Sequence, residues 1–534
     1  MSQSHLNQIR GSAPLKFLVI GAGSRGNGYA HALLQSTPDA QITAVAEPIE
    51  VKRRAFGRQY IWGEADAPAE WQSFADWKDF LGLQEQRQRA ARDKASRWSR
   101  PVDGVFICTL DDSHCEIITA FAPLGYHIMS EKPLATTLQD CLKIYRSLRP
   151  QGSSSSPQIF SIGHVLHYSP HNILLRRLLL DDEAIGDILS VEHTEPVGWW
   201  HFAHSYVRGN WRKEASSAPS LLTKSCHDID LLMWLLCAPP ATASITDRPP
   251  HLPSFVSSTG SLLYFKPSRK PQSAGGATNC YSCAAEPQCI YSARKIYVRD
   301  RFDQGHVGWP VKIVDSEIED MYVGGNKKGA RERLEARLKD DYNESTSSPA
   351  SRPWYGRCVY NADNDVCDDQ VVTINWEDDP LPVTSVQQRQ DRLQGRGAKN
   401  AIFHMVASTE AQCERRGHIS GTRGEIEYDS RTIRVYDFAT KRAEVHVPEQ
   451  PGGGHGGGDA GLVSAFFKAV EAVKLRQMPV EEAQQAYVGC TAEEIVRNTA
   501  MVFAAEEARR EKKVVDWPAW WQNNVEIALE HQSG

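Results

Sequence analysis

The chain has 534 residues, 41% hydrophobic and 24% charged, with a formal net charge of −6. That composition is typical of a soluble globular protein. The chain is too long for one ordinary core, so two domains with insertions are expected. A weakly acidic balance without a clustered Lys/Arg run excludes a nucleic-acid backbone partner, and no apolar run is long enough to span a bilayer. The polar start MSQSHLNQIRGSAP has no apolar leader core, the ending HQSG carries no sorting signal, and twelve cysteines are too sparse for a disulfide scaffold. A cytoplasmic protein with mostly reduced thiols is therefore expected.

The apolar residues Phe17-Leu18-Val19-Ile20 run straight into Gly21-Ala22-Gly23-Ser24-Arg25-Gly26. This is a buried strand entering a G-x-G-x-x-G turn. Gly21 allows the tight turn, Gly23 lets a pyrophosphate approach the backbone, and Gly26 lets the next helix pack closely. That helix, residues 25–35, would aim its free N–H groups at the phosphates. A second strand, residues 41–46 (QITAVA), ends in Glu47, about 20 residues past the last glycine, where the fingerprint places an acid on the ribose. Gly21, Gly23, Ser24, Arg25, Gly26 and Glu47 are thus candidate cofactor residues. Glu47 favours NAD, because a carboxylate repels a 2′-phosphate; Arg25 and Arg53 leave NADP open. The bland alternative is a phosphate-free glycine turn.

Alternating strand and helix through residue 150 predict a parallel doubly wound sheet. Residues 60–100 read as a polar insertion whose middle, 83–100 (LQEQRQRAARDKASRWSR), is a solvated helix or disordered. Residues 102–109 form the next strand. Thr109 to His114 then face the cofactor crevice, with Asp112 or Ser113 as N-cap. His114 either lines the nicotinamide pocket or is structural. The strand of residues 126–130 delivers Glu131-Lys132-Pro133 to the crevice, with an X–Pro bond that can be cis. The bland reading is a strand exit with surface charges.

The pieces GAGSRG (21–26), AVAEP (44–48), CTLDDSH (108–114) and EKP (131–133) come in one order. With these pieces the chain resembles the glucose-fructose oxidoreductase / inositol dehydrogenase / MocA family. The resemblance implies that Lys132 lies beside the nicotinamide and substrate, and that the site moves hydride at a carbinol carbon of a sugar or cyclitol.

A second domain is expected from residue 151. Residues 160–164 read as a strand, 169–180 as a helix with Pro170 in its first turn, and 188–195 as a half-buried strand. The loop of residues 198–206 (GWWHFAHSY) is either a sugar-site floor or plain core. In LLTKSCHDIDLL (221–232), His227 and Asp230 fall on one helical face, with Lys224 a turn earlier. The resembled family normally carries an Asp four residues before this His. Here Thr223 stands there, as in a subgroup resembling streptomycin-biosynthesis dehydrogenases. A histidine suits the proton transfer that accompanies hydride transfer. His227 is therefore the candidate acid/base, with Lys132 and Lys224 orienting the hydroxyl; Lys132 as the base is the alternative, and a purely structural His227 the bland one.

Residues 256–265 form a further strand. Beyond it, Cys280-x-x-Cys283-x5-Cys289 suggests a thiolate knuckle for structural zinc, with free thiols or a disulfide as alternatives. Residues 327–351 read as a surface helix and loop, and 378–398 as a surface insertion. Strands at 370–376, 401–407, 424–429 and 432–437 complete an open sheet. The glycine-rich residues 451–458 form a hinge ending in the N-cap acid Asp459, and His455 there can touch substrate. Helices over 460–473 and 490–510 follow, then an apolar tail with Trp517, Trp520 and Trp521.

The expected fold class is α/β: a Rossmann doubly wound parallel sheet (1–150, insertion about 60–100), an α+β domain with an open, largely antiparallel sheet (151–458), and C-terminal helices packing back on the first domain (459–534). The expected activity is NAD(P)-dependent oxidation or reduction of a sugar, cyclitol or polyol carbinol, with no nucleic-acid or membrane partner. The resemblance implies a homo-oligomer built through the second sheet. The competing classes are an inactive nucleotide-binding sensor or scaffold, and a redox-neutral hydrolase or lyase that uses NAD.

Overall fold

The computed structural model describes residues 14–530 except 38, 66, 94–99, 150–156, 238–248, 343–351, 381–392, 394 and 453. Six parallel strands form the first sheet: β1 (Leu15–Ile20), β2 (Ala40–Ala46), β3 (Ser73–Phe74), β4 (Gly104–Ile107), β5 (His127–Ser130) and β6 (Phe160–Ile162). Their order is β3-β2-β1-β4-β5-β6, so the chain reverses direction across the sheet between β1 and β4. That reversal opens a crevice at the strands' carboxyl ends. The strands are buried on both faces and read as apolar runs for that reason.

Two expectations change here. The stretch expected as a polar insertion contains β3 and the helix Trp77–Asp93, an integral crossover. Phe80 of that helix is fully buried against Phe74 and Phe121, with ring centroids 5.4 and 6.2 Å away. Residues 94–99 of the expected solvated segment lie outside the described residues. The strand expected to open the second domain is β6, which pairs with β5 and closes the first sheet.

The second sheet has nine strands: β7 (Ile188–Pro196), β8 (Phe255–Ser261), β9 (Asp369–Trp376), β10 (Lys399–Val406), β11 (Arg416–Gly421), β12 (Gly424–Tyr428), β13 (Ile433–Asp437), β14 (Arg442–His446) and β15 (Val515–Asp516). Its order is β14-β13-β12-β11-β7-β10-β9-β8-β15. Only β7 with β10 is parallel, so the sheet is mixed and mostly antiparallel. Burial alternates along β9 and β10, leaving one face outward.

The C-terminal helices return to both sheets. In the helix Gly458–Arg476, Phe466 packs on Phe17 and Phe106 of the first sheet, with centroids 6.2 and 5.5 Å apart. The helix Ala492–Glu511 begins with a Thr491/Glu494 capping box. The tail docks through buried Trp517 and Trp520, stacked at 5.7 Å.

Candidate functional site

The glycine turn follows β1 directly. Gly21 has φ +93°, which favours glycine, and a Cβ there would meet the Cys108 carbonyl oxygen at 2.6 Å. A Cβ on Gly26 would lie 2.0 Å from the Gly21 carbonyl oxygen, whereas at Gly23 nothing lies within 4 Å. Gly23 therefore faces open space. The helix Ser24–Ser36 starts there without a side-chain cap, leaving its first N–H groups for an anion. Glu47, just past β2, is buried; its Oε2 accepts from the Ala22 N–H at 2.9 Å and its Oε1 from the Ile49 N–H at 3.0 Å. An open phosphate cradle with an acid at the end of β2 is the residue set a dinucleotide needs.

Arg25 turns inward rather than toward a 2′-phosphate. Its Nε meets Glu131 at 2.5 Å, and its Nη2 meets Asp459 at 2.8 Å and the Tyr29 hydroxyl at 2.7 Å. Arg53 lies instead against the Glu47 backbone, its Nη1 2.5 Å from the carbonyl oxygen. Asp459 is not the N-cap of its helix. Gly457 takes that position, and the Asp459 carboxylate holds Arg25 and reaches His455 at 3.3 Å.

Glu131, Lys132 and Pro133 follow β5, and the Lys132–Pro133 bond is cis. Burial pushes the Glu131 carboxyl up, but Arg25 and the Tyr29 hydroxyl bond hold it below the ordinary carboxylate value. Lys132 Nζ donates to the Thr223 carbonyl oxygen at 2.6 Å. Where the resembled family has an Asp, this chain offers Lys132 a backbone carbonyl. His114 is fully buried, with ring nitrogens 2.8 Å from the Pro133 carbonyl oxygen and 3.3 Å from that of Thr109. It thereby bridges the two crevice loops that hold Thr109 and Pro133. The Thr109 hydroxyl accepts from Ser113 Oγ at 2.6 Å; Ser113 precedes the helix His114–Phe121 without capping it. Asp111, in the same loop, accepts from the Trp211 indole at 2.9 Å. Burial raises its pKa, and the charge of Lys132 works against the rise.

His227 lies in the first turn of the helix Cys226–Leu236 and is 6% exposed. Its Nδ1 is buried and has no hydrogen-bond partner. Burial, then the charges of Lys132 and Arg415, hold its pKa well below 6.5. The ring is neutral near neutrality, with a free nitrogen. Its ring centroid is 6.2 Å from that of His164 and 6.1 Å from that of His455.

Asp230 does not pair with His227. It holds His164 Nδ1 at 3.1 Å, His167 Nε2 at 2.7 Å and the Asn498 amide at 2.8 Å. Burial works against charge on His164, but Asp230 pushes its pKa up to about 10. The His164/His167 partnership went unnoticed in the sequence, although the density of histidines in GHVLHYSPH (163–171) was a visible signal.

Lys224 also departs from expectation. Its Nζ pairs with Glu195 at 2.8 Å and meets Cys413 Sγ at 3.0 Å. Glu195 and Asp228 are fully buried and clamp Arg415 at 3.1 and 2.6 Å. Lys224 is thus bound into a buried ion network with Glu195, Cys413 and Arg415. The structure brings Lys132 and His227 into one electrostatic neighbourhood. A cavity of about 360 Å³ lies on the far side of His455, lined among others by Leu231, Cys413, Arg415 and Tyr428 but by neither Lys132 nor His227. That size suits a small polar ligand.

The expected zinc knuckle is corrected as well. Among the described residues no group of three or more His, Cys, Asp or Glu is arranged to hold a metal ion. Cys280, Cys283 and Cys289 are free thiols. Cys280 Sγ instead accepts from the Ala293 N–H at 3.4 Å and from Arg208 at 3.5 Å inside a small core. Burial pushes the Cys280 and Cys289 thiols up, away from the thiolate a metal requires. No helix among the described residues is long and apolar enough to cross a membrane.

Two family models match the chain in order: the oxidoreductase family, NAD-binding Rossmann fold, over residues 15–157, and the oxidoreductase family, C-terminal alpha/beta domain, over residues 177–261. YteT of Bacillus subtilis (strain 168), described as an oxidoreductase, is 23% identical over 392 residues, 71% of this chain and 74% of that protein. The inositol 2-dehydrogenase/D-chiro-inositol 3-dehydrogenase of Lactiplantibacillus plantarum is 21% identical over 238 residues, 44% of this chain and 54% of its own length. A structure of levoglucosan dehydrogenase in complex with NADH and levoglucosan shares the fold at TM-score 0.56 and 16% identity, covering 95% of this chain and all of that one (100%).

Proposed function

Because this chain belongs to the Gfo/Idh/MocA oxidoreductase family, we propose that it is an NAD-dependent dehydrogenase acting on a carbinol carbon of a sugar, cyclitol or related polyol. The observation that carries the site assignment is the bond from Lys132 Nζ to the Thr223 carbonyl oxygen at 2.6 Å, which ties Lys132 to the segment bearing His227, a ring that burial and the Lys132 charge keep neutral. Gly21, Gly23, Ser24, Gly26 and Glu47 would hold the dinucleotide, with Thr109, Glu131 and Lys132 along the crevice. Glu47 supports NAD over NADP, and Arg25, tied to two carboxylates, adds nothing for a 2′-phosphate. When bound, oxidised nicotinamide accepts the hydride leaving the carbinol carbon.

The chain's own work is to take the hydroxyl proton and steady the oxygen left behind. A ring nitrogen of His227 accepts that proton. The positive groups that keep His227 neutral, Lys132 first among them, also favour negative charge developing on the substrate oxygen. Glu131 fixes Lys132 by accepting from its backbone N–H at 3.1 Å. The same reading includes an oligomer built through the outward face of β9 and β10, where Thr373 lies opposite Ile402; sedimentation as a monomer would remove that part.

The test is incubation with NAD and a panel of cyclic polyols, following both NADH and polyol. Net NADH formation, reduced about 10²–10⁴-fold in His227→Ala, is expected. Polyol conversion without net NADH would replace the reading with a redox-neutral one. Nucleotide binding without conversion of any polyol would leave a sensor.

A further inference from the structure

Residues 262–368 are inserted between β8 and β9 and carry a small core of their own, including Tyr297, Phe302, Ile318 and Leu334. This lobe meets the helix Trp199–Phe202, which follows β7 where a loop was expected, in an aromatic cluster. Trp309 of the lobe has its ring 5.1 Å from Trp200, tilted by 48°, and 5.1 Å from His201, edge-on at 84°. The Arg301 guanidinium sits 4.7 Å from the Trp200 ring. Trp309 is nevertheless 40% exposed. A large indole held between neighbours but left open on one side is costly to leave facing water.

The cluster borders the site. His201 Nδ1 lies 3.6 Å from Cys413 Sγ, which lies 3.0 Å from Lys224 Nζ. Burial and the charges of Lys224 and Lys132 hold the His201 pKa well below 6.5, so both lysines are within its electrostatic reach. Cys413 also lines the cavity past His455. A series of side-chain contacts therefore runs from the Trp309 ring through His201 and Cys413 to Lys224, and the Lys132 charge acts on His201.

We propose that Trp309, backed by Trp200, is a stacking platform supplied by the inserted lobe, on which a sugar or cyclitol ring of the substrate seats. The C–H face of such a ring is apolar and its hydrogens are partly positive, which suits the negative face of an indole. The hydroxyl rim then stays free for the polar groups of the crevice. An acyclic polyol presents no such face, so the platform selects ring over chain. The choice of ligand rests on the dehydrogenase reading; the platform itself rests on the aromatic geometry.

The experiment uses the full chain loaded with NADH and saturation-transfer NMR, with levoglucosan and myo-inositol as cyclic probes and sorbitol as the acyclic one. The cyclic probes should receive saturation at their ring C–H protons and bind about tenfold more weakly to Trp309→Ala. Trp309→Phe should keep most of that affinity, and sorbitol should not distinguish the variants. With a turned-over polyol, Trp309→Ala should raise KM and leave kcat within about twofold, as loss of uniform binding does. Unchanged affinity for the cyclic probes in Trp309→Ala overturns the platform, as does an equal loss in the Phe variant. A wild-type chain that binds NADH but neither cyclic probe overturns it too. Probes that bind as expected without ever yielding NADH would end the dehydrogenase reading and leave the platform standing.

Discussion

Gly23 and Gly26 should respond in opposite ways to one added methyl group. At Gly26 the new carbon would sit 2.0 Å from the Gly21 carbonyl oxygen, about 1.4 Å short of ordinary contact. The obstacle is backbone, so no side chain can swing away, and the helix Ser24–Ser36 must move off the turn. That helix packs on Gly458–Arg476, so the shift spreads. Gly26→Ala should cost about 1–3 kcal/mol or more in stability. At Gly23, φ is −77° and nothing lies within 4 Å, so alanine fits without strain. Gly23→Ala should leave stability unchanged or raise it by about 0.4–1 kcal/mol through the unfolded chain. It should still weaken NADH at least about tenfold, because the methyl fills the approach of the pyrophosphate to the backbone. Thermal unfolding without nucleotide reads the first effect. Titration with NADH, read through energy transfer from the tryptophans, reads the second. A Gly23→Ala chain that is stable and binds NADH as tightly as wild type would refute the phosphate cradle.

Since His227 is held well below 6.5 and acts as the neutral base, activity should be lost only as pH falls through that lowered value, so kcat/KM for oxidation should stay level through pH 6.5; an acidic limb at or above 6.5 would rule His227 out as that base. Asp230→Asn should destabilise the fold by about 3–5 kcal/mol, because it leaves His164 and His167 without their buried counter-charge. His164, raised from 6.5 to about 10, contributes stability that is fully present below pH 6.5 and lost as pH climbs to about 10, so melting curves should show that decline in wild type and not in the variant. Glu47→Gln should keep the bond from the Ala22 N–H yet move the NADPH/NADH affinity ratio toward NADPH by about tenfold; an unmoved ratio would show that the Glu47 charge does not set cofactor choice.

The parts of the fold that were legible in the sequence are those that local pattern determines. Strands β1, β2, β4 and β5 are buried on both faces, and each reads as a short apolar run. The glycine turn is legible because its steric demands fall on fixed positions: Gly21 needs positive φ and Gly26 needs the absence of a Cβ. Strand β3 escaped because Ser73–Phe74 is too short to carry a pattern. Its helix, Trp77–Asp93, was half legible: the part from residue 83 reads as a solvated helix and is largely exposed, while the buried Phe80 anchors the turn before it. Strand β6 was assigned to the wrong sheet because pairing with β5 is a long-range choice that its three residues do not encode.

At the proposed site, sequence supplied the candidate groups, and the fold decided which of them a buried opposite charge holds. Lys132 and His227 stand in recognisable motifs, and both remain at the crevice. Lys224 is one turn from His227 along the chain, yet Glu195 on β7 and Cys413 before β11 claim it. Asp230 is three residues from His227, yet histidines from the segment after β6 claim it. Arg25 stands in the phosphate turn, yet Glu131 and Asp459 claim it. In each case the partner is a buried opposite charge brought in from another element, and a buried ion without one is too costly to leave. Short-range spacing cannot see which charges the fold must neutralise. The same logic picks out His227. It is buried and neutral, and its charged neighbours are cations, so no buried opposite charge claims it.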